Sequence, residues 1–369
     1  MKGEKYIESV RSALWGIEGE RLEVRGERMA DFIRLHAVQG TGPLVFPQLL
    51  AQDGIPAEAK MQMKSICLGT MQQQVHLQHT LETAWHALEK AGIQAVLMKG
   101  AGLAAFYPEP HYRPWGDIDL YVGPDQYHPA CAVMRDTFPD ALKFDEELDH
   151  YKHYNLIADG VSIEVHRMSV GLQHPIDERR YIRMQQYGAE HGEKLAVNGL
   201  EVTVFEPTFN ALLVMFHSWE HMTTKGSNMR QVCDLTLLLH HYAGRIDRKR
   251  LRKWLRALHL MDVWQLFMCM AVDYLGLPAA EAPFYTDQVK ARAERLVTDL
   301  LGGRLDEGLT AHKGTAPKNR VLRKFHTMQE RLANARRMAQ YSPAYGRHMA
   351  VTTLLHGALR FFAKDRHWE

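Results

Sequence analysis

Two aspartates, Asp117 and Asp119, stand two residues apart inside the apolar run GDIDLYV at 116–122. Along a strand, residues i and i+2 share a face, so both carboxylates point the same way. Like charges so placed repel, and the usual relief in a sheet interior is a divalent cation taking oxygen ligands. Ahead of them an apolar run ends in Lys99-Gly100-Ala101-Gly102. A Gly-rich turn of this kind brings backbone N–H groups close to a phosphate, and Lys99 adds a point charge. Downstream, in SIEVHR at 162–167, Ile163 and Val165 face one way while Glu164 and His166 face the other. A third carboxylate therefore lies on a strand, with His166 beside it to orient a metal cluster or an acceptor, or to serve as a structural histidine. A phosphate cradle next to a set of acids points to nucleotide chemistry.

The elements that must hold these residues can be read from period and turn signals. Residues 4–90 read as helices, with a break at 40–47, and 72–90 forms one long helix whose stripe includes Val75, Leu77, Leu81, Trp85 and Leu88. It leads into a strand at 93–98. Pro124 offers the first position of a helix running to about Phe138. Asp159-Gly160 and Asn198-Gly199 each separate two short alternating runs, which predicts two hairpins, the second closing the sheet. Beyond Pro207 the period turns helical, with Thr208 and Ser227 as expected caps of the first two helices. There His217 and His221, and Arg230 and Asp234, are spaced to share helix faces. HSWEH at 217–221 is not the zinc-protease motif, because its Glu directly precedes the second His. His76 and His79 also share a helix face but have no third ligand nearby, which argues against a metal there.

In this order, strand, Lys-Gly turn, helix, Arg113-x-x-x-Asp117-x-Asp119 strand and later strand acid, the chain resembles the nucleotidyltransferase superfamily with the polymerase-beta-like fold. More closely it is similar to the branch called uncharacterised nucleotidyltransferase, over most of residues 30–280. The resemblance implies an α/β (α+β) fold in which a small mixed-sheet catalytic core at 91–206 is flanked by a helical region at 1–90, a helical substrate-side domain at 207–302 and a basic helical segment at 303–369. It implies transfer of a nucleoside monophosphate from an NTP such as ATP, with release of pyrophosphate and with Mg2+ or Mn2+ as cofactor. Asp117, Asp119 and Glu164 would be the metal ligands and catalytic acids, and Lys99, Gly100, Ala101 and Arg113 the nucleotide-binding residues. Ala101 departs from the usual pattern by offering no hydroxyl to the phosphate. His166, His217, His221, Arg230 and Asp234 would lie toward the acceptor, whose identity the resemblance leaves open between a small molecule, a protein side chain and RNA. The alternative is an inactive relative that binds nucleotide or a partner protein.

Composition sets the outer bounds. With 369 residues, 46% apolar and 24% charged, the chain matches an ordinary globular protein of two to three units. No run is apolar for the roughly 18 residues a membrane span needs, and the polar start does not read as a signal peptide, so a cytoplasmic location is expected. Cys67, Cys131, Cys233 and Cys269 are too dispersed for a zinc pattern or a disulfide framework and read as reduced core thiols. Charge is uneven: residues 311–369 hold twelve Lys and Arg against three acids, although the whole chain is only +2. Arg320, Arg323, Lys324, Arg331, Arg336 and Arg337, with Phe325 and Tyr341 for stacking, would suit RNA. Leu322, Met328, Leu332, Leu354, Leu355, Phe361 and Phe362 favour the other reading, a segment docked on the preceding helices. The oligomeric state is left open.

Overall fold

The computed structural model describes residues 2–17, 27–144, 148, 150–172, 174–224, 226–305 and 320–362. Helices α1 (Lys2–Trp15), α2 (Glu27–Val38), α3 (Gly42–Leu50) and α4 (Ala57–Lys90) precede strand β1 (Val96–Met98) and the short helix α5 (Gly100–Ala104). Strand β2 (Asp117–Tyr121), helix α6 (Gly123–Thr137) and strands β3 (Leu142–Lys143), β4 (His153–Ala158) and β5 (Val161–His166) follow. Next come α7 (Pro175–Glu190), the hairpin β6 (Glu193–Val197) and β7 (Leu200–Val204), then α8 (Pro207–Thr224), α9 (Met229–His241), α10 (Arg248–Ala257), α11 (Met261–Cys269) and α12 (Lys290–Leu301). Helices α13 (Arg320–Ala339) and α14 (Pro343–Phe362) end the described chain.

The main sheet has five strands in the order β1-β2-β5-β4-β3 and is mixed, as expected. Only β2 and β5 run parallel; the other three pairings are antiparallel. Both predicted hairpins form with two-residue turns. Asp159 and Gly160 take φ 49° and 78°, and Asn198 and Gly199 take 48° and 89°, the doubly positive geometry that matches strand twist. The second hairpin, however, does not close the sheet. It is a separate two-stranded sheet, whose Val197, Leu200, Val202 and Val204 pack into the sheet's apolar core instead of extending its ladder.

Alternation divides the sheet between two apolar clusters. Leu97, Ile118, Leu120, Ile163 and Val165 pack with Leu81, Trp85 and Leu88 of α4 and Tyr127 and Met134 of α6. Val96, Met98 and Tyr121 instead join the helical cluster built around Phe209, Trp219, Phe267 and Trp264. The face of β2 and β5 that carries the acids is therefore the one turned toward the helical body.

Several local expectations are corrected. The long helix begins at Ala57 rather than at 72, and Val75 is exposed while Gln74 is buried, its Nε2 donating to the Trp115 carbonyl. At the start of α8 the cap is Glu206, whose carboxylate accepts from the Phe209 N–H and the Thr208 hydroxyl. Ser227 does not cap α9; its hydroxyl bonds Gln231 Oε1, and Asn228 precedes the helix without a side-chain cap. All four cysteines are buried and free. No helix among the described residues is long and apolar enough to cross a membrane.

In the C-terminal helices, Tyr341 is not available for stacking. It is 2% exposed, and its hydroxyl donates to Asp299 Oδ2 at 2.7 Å. Arg337 donates to the carbonyls of Leu305 and Thr223, so its guanidinium is spent on docking the helix. Phe325, Leu354 and Leu355 are exposed. The side chains of Arg320, Arg323, Lys324, Phe361 and Phe362 lie outside the described residues, as does residue stretch 306–319.

Candidate active site

Strand register assembles the acids. Asp119 lies opposite Glu164 across the parallel β2–β5 pair, and Asp117 opposite Ser162, so the three carboxylates share one face. Asp117 is at the exposed start of β2, whereas Asp119 is buried. The Asp119 charge, helped by burial, raises the pKa of Asp117. Asp119 itself is held well below the usual carboxylate range: burial opposes ionisation, but the Lys99 charge and the His166 hydrogen bond prevail.

The Lys99 ammonium lies 3.0 Å from Asp119 Oδ2. Its own pKa is raised, because Asp119, Asp117 and Glu164 together outweigh the burial that would lower it. The lysine sits at the junction of β1 and α5 with φ 50°, a region that costs a non-glycine residue about 1–3 kcal/mol. Gly100 follows at φ 35°, where a Cβ would come within 3.3 Å of the Asp117 carbonyl oxygen. The turn is thus pressed against the aspartate strand. As in any helix, the first turn of α5 leaves the N–H groups of Gly100 and Ala101 without intrahelical acceptors.

His166, two residues beyond Glu164 on β5, joins the acids on the same face. Its Nε2 is 2.8 Å from Asp119 Oδ1 and 3.1 Å from Glu164 Oε2, and its Nδ1 is 3.2 Å from the Met168 carbonyl oxygen. Both nitrogens face acceptors, which suits an imidazolium. Burial works against that charge, but the hydrogen bonds to Asp119 and Glu164 win and raise the pKa. The same bond lowers the pKa of Glu164 against its burial.

Arg113 and Asp234 come together across 121 residues. The guanidinium donates through Nε to Asp234 Oδ1 at 2.9 Å and through Nη2 to Oδ2 at 2.7 Å, while Nη1 donates to the Gly100 carbonyl at 2.9 Å. Tyr107 donates its hydroxyl to Asp234 Oδ1 at 2.7 Å. Arginine and aspartate side chains are 5% and 4% exposed. Each of the three guanidinium nitrogens of Arg113 thus donates a hydrogen bond that braces the Lys99-Gly100 turn to α9. Arg230 points elsewhere: its Nη1 donates to the Pro114 carbonyl, and burial lowers its pKa. Arg230 and Asp234 therefore share α9 but serve different partners.

The helical body closes the site from the other side. His217 and His221 have ring centroids 4.3 Å apart, and His217 Nδ1 is buried without a hydrogen-bond partner. Burial, then the charge of Lys99, pushes the His217 pKa well below its ordinary value.

Two residues escaped the sequence reading. Tyr107 belongs to the Arg113 brace, and His153 lies across the hairpin from His166 with ring centroids 5.0 Å apart and Nδ1 3.9 Å from Glu164 Oε2. A signal for His153 existed, since counting outward from the Asp159-Gly160 turn pairs it with His166.

The acids have the chemistry to hold divalent cations. They are oxygen donors on one face, and Asp119 Oδ2 is a buried oxygen with no hydrogen bond of its own, only the Lys99 counter-charge.

A crystal structure of an antigenic nucleotidyltransferase-like protein from Paracoccidioides brasiliensis is similar at 16% identity, covering 56% of this chain and 93% of that one with a TM-score of 0.34. No curated protein matches. The family model described as uncharacterised nucleotidyltransferase matches residues 26–276, a span that runs from α2 through the acid-bearing sheet to the end of the helical face opposite it. The chain belongs to the uncharacterised nucleotidyltransferase family.

Proposed function

We propose that the protein is a metal-dependent nucleotidyltransferase that moves a nucleoside monophosphate from an NTP to a hydroxyl-bearing acceptor. The observation that carries this reading is the pairing of Asp119 with Glu164 on adjacent parallel strands, with Asp117 on the same face and the Lys99-Gly100 turn against them. In this reading Asp117, Asp119 and Glu164 hold the cations. Bound there, Mg2+ or Mn2+ would stabilise the attacking and leaving oxygens of an in-line displacement.

The chain's own residues do the rest. The Gly100 and Ala101 N–H groups take the triphosphate tail, and Lys99 shares its charge between that tail and Asp119. Arg113 acts without touching phosphate: by gripping the Gly100 carbonyl and Asp234 it fixes the turn relative to α9. His217, held neutral by burial and by the Lys99 charge, is too weak a base to keep the acceptor proton and serves to orient the hydroxyl by a hydrogen bond. Glu164, at the inner end of the acid face, takes or directs that proton.

The reading is tested by incubating the protein with labelled NTPs, Mg2+ or Mn2+ and pooled acceptors, using Glu164→Gln as the control. Wild-type protein should label an acceptor and release pyrophosphate. Glu164→Gln should abolish turnover and still bind nucleotide. Turnover that persists in the variant would remove Glu164 from the chemistry.

A further inference from the structure

We propose that His153 Nδ1, Glu164 Oε2 and His166 Nε2, with Asp119 Oδ1 beside them, form a site for a borderline divalent ion such as Co2+ or Zn2+ in preference to Mg2+. The inference rests on the reading of Glu164 as a cation ligand and gives that end of the acid face its own chemistry. The three ligand atoms all lie within 4.8 Å of one another. Tetrahedral ligands at about 2.0–2.1 Å from a zinc-like ion stand roughly 3.4 Å apart. The measured 3.1 Å from His166 to Glu164 and 3.9 Å from His153 to Glu164 straddle that spacing.

Three further features fit a ligand set rather than ordinary packing. His153 Nδ1 is a buried ring nitrogen with no hydrogen-bond partner, aimed at Glu164. His166 donates Nδ1–H to the Met168 carbonyl, the outer hydrogen bond that turns its Nε2 inward, where a bound cation would replace the proton that Nε2 shares with Asp119 and Glu164. Asp119, 1% exposed, places Oδ1 2.8 Å from that Nε2. Two imidazoles beside two carboxylates favour Co2+ and Zn2+, whereas Mg2+ favours an all-oxygen set and keeps its waters. Asp117 lies outside this group, at the exposed end of β2.

The test is a Co2+ titration of the full chain without nucleotide, followed by visible absorption, with Mg2+ in hundredfold excess. Wild-type protein should show a ligand-field band that Mg2+ does not displace. His153→Gln should bind Co2+ on the order of 100-fold more weakly, while Asp117→Asn should bind it within about threefold of wild type. Circular dichroism checks the fold of each variant, and His153→Asn serves as a second substitution. NMR of the Co2+ form of the unmutated protein gives an independent readout, since paramagnetically shifted imidazole N–H signals arise only from ligated histidines. Absence of the band and of those signals in wild type overturns the proposal, as does equal Co2+ affinity in His153→Gln. If Asp117→Asn instead removes Co2+, the ion sits on the aspartates: the imidazole site is then refuted, while the nucleotidyl-transfer reading stands.

Discussion

Replacing Arg113 with Ala should be among the most damaging single changes in the chain, and the reason lies in what it leaves behind. Asp234 is 4% exposed and would lose two charge-assisted hydrogen bonds at once, with only the Tyr107 hydroxyl retained. The Gly100 carbonyl would lose its donor as well. Breaking a buried pair by removing one partner costs about 3–5 kcal/mol, most of it from the stranded charge. Two bonds to a charged group at ~1.5–3 kcal/mol each give an overlapping range, ~3–6 kcal/mol. Urea unfolding of wild type, Arg113→Ala, Asp234→Leu and the double variant Arg113→Met with Asp234→Leu would measure it. The double variant should recover much of the loss, because no charge is left unpaired; it should stay about 1–3 kcal/mol below wild type for the orphaned Tyr107 hydroxyl and Gly100 carbonyl. A cost under 1 kcal/mol for Arg113→Ala, or a double variant as poor as the two singles summed, would refute the brace.

Two other outcomes follow from particular contacts. His36 is buried between Ser9 and Thr41, and burial lowers its pKa to about 3. The unfolded chain takes up that proton near 6.5, so this contribution to stability is complete above pH 6.5 and is lost as pH falls toward 3; thermal unfolding of His36→Gln from pH 4 to 7 should show a flatter pH slope than wild type. Arg337 is docked and Tyr341 is buried, which removes two of the residues expected to face RNA, and fluorescence anisotropy with tRNA at two salt concentrations should show nothing tighter than ordinary non-specific affinity, ~10⁻⁴ to 10⁻⁶ M. Submicromolar, steeply salt-dependent binding would reverse that expectation.

How legible the molecule was from its sequence differs element by element. The strands around Asp117, Asp119 and Glu164 could be read because period-2 alternation and two Asx-Gly turns are local signals. The stripe of α4 was misread at Val75 because that helix meets different partners along its 34 residues: its first half packs on α2 and α3, its second on the sheet. Gln74 is drawn inward by one long-range hydrogen bond that no periodicity announces. The Arg113–Asp234 pair was hidden for the same reason, since its members are 121 residues apart, Arg113 was expected on the nucleotide and Asp234 had Arg230 as a nearer partner in sequence. Sequence spacing also suggested that both aspartates repel each other and look to a divalent cation for relief. The structure divides them: Asp119 is held by Lys99 and His166, and Asp117 alone keeps a raised pKa.

That division selects the decisive measurement, a calorimetric titration of Mg-NTP into wild type and Asp117→Asn. Asparagine at the exposed start of β2 keeps the shape, relieves the repulsion from Asp119 and strands no buried charge, so the variant should fold at least as stably as wild type. The account predicts Mg2+-dependent NTP binding by wild type and its loss in Asp117→Asn. Equal affinity of the two proteins for Mg-NTP would contradict the assignment of these acids as the cation-binding centre of a nucleotidyltransferase.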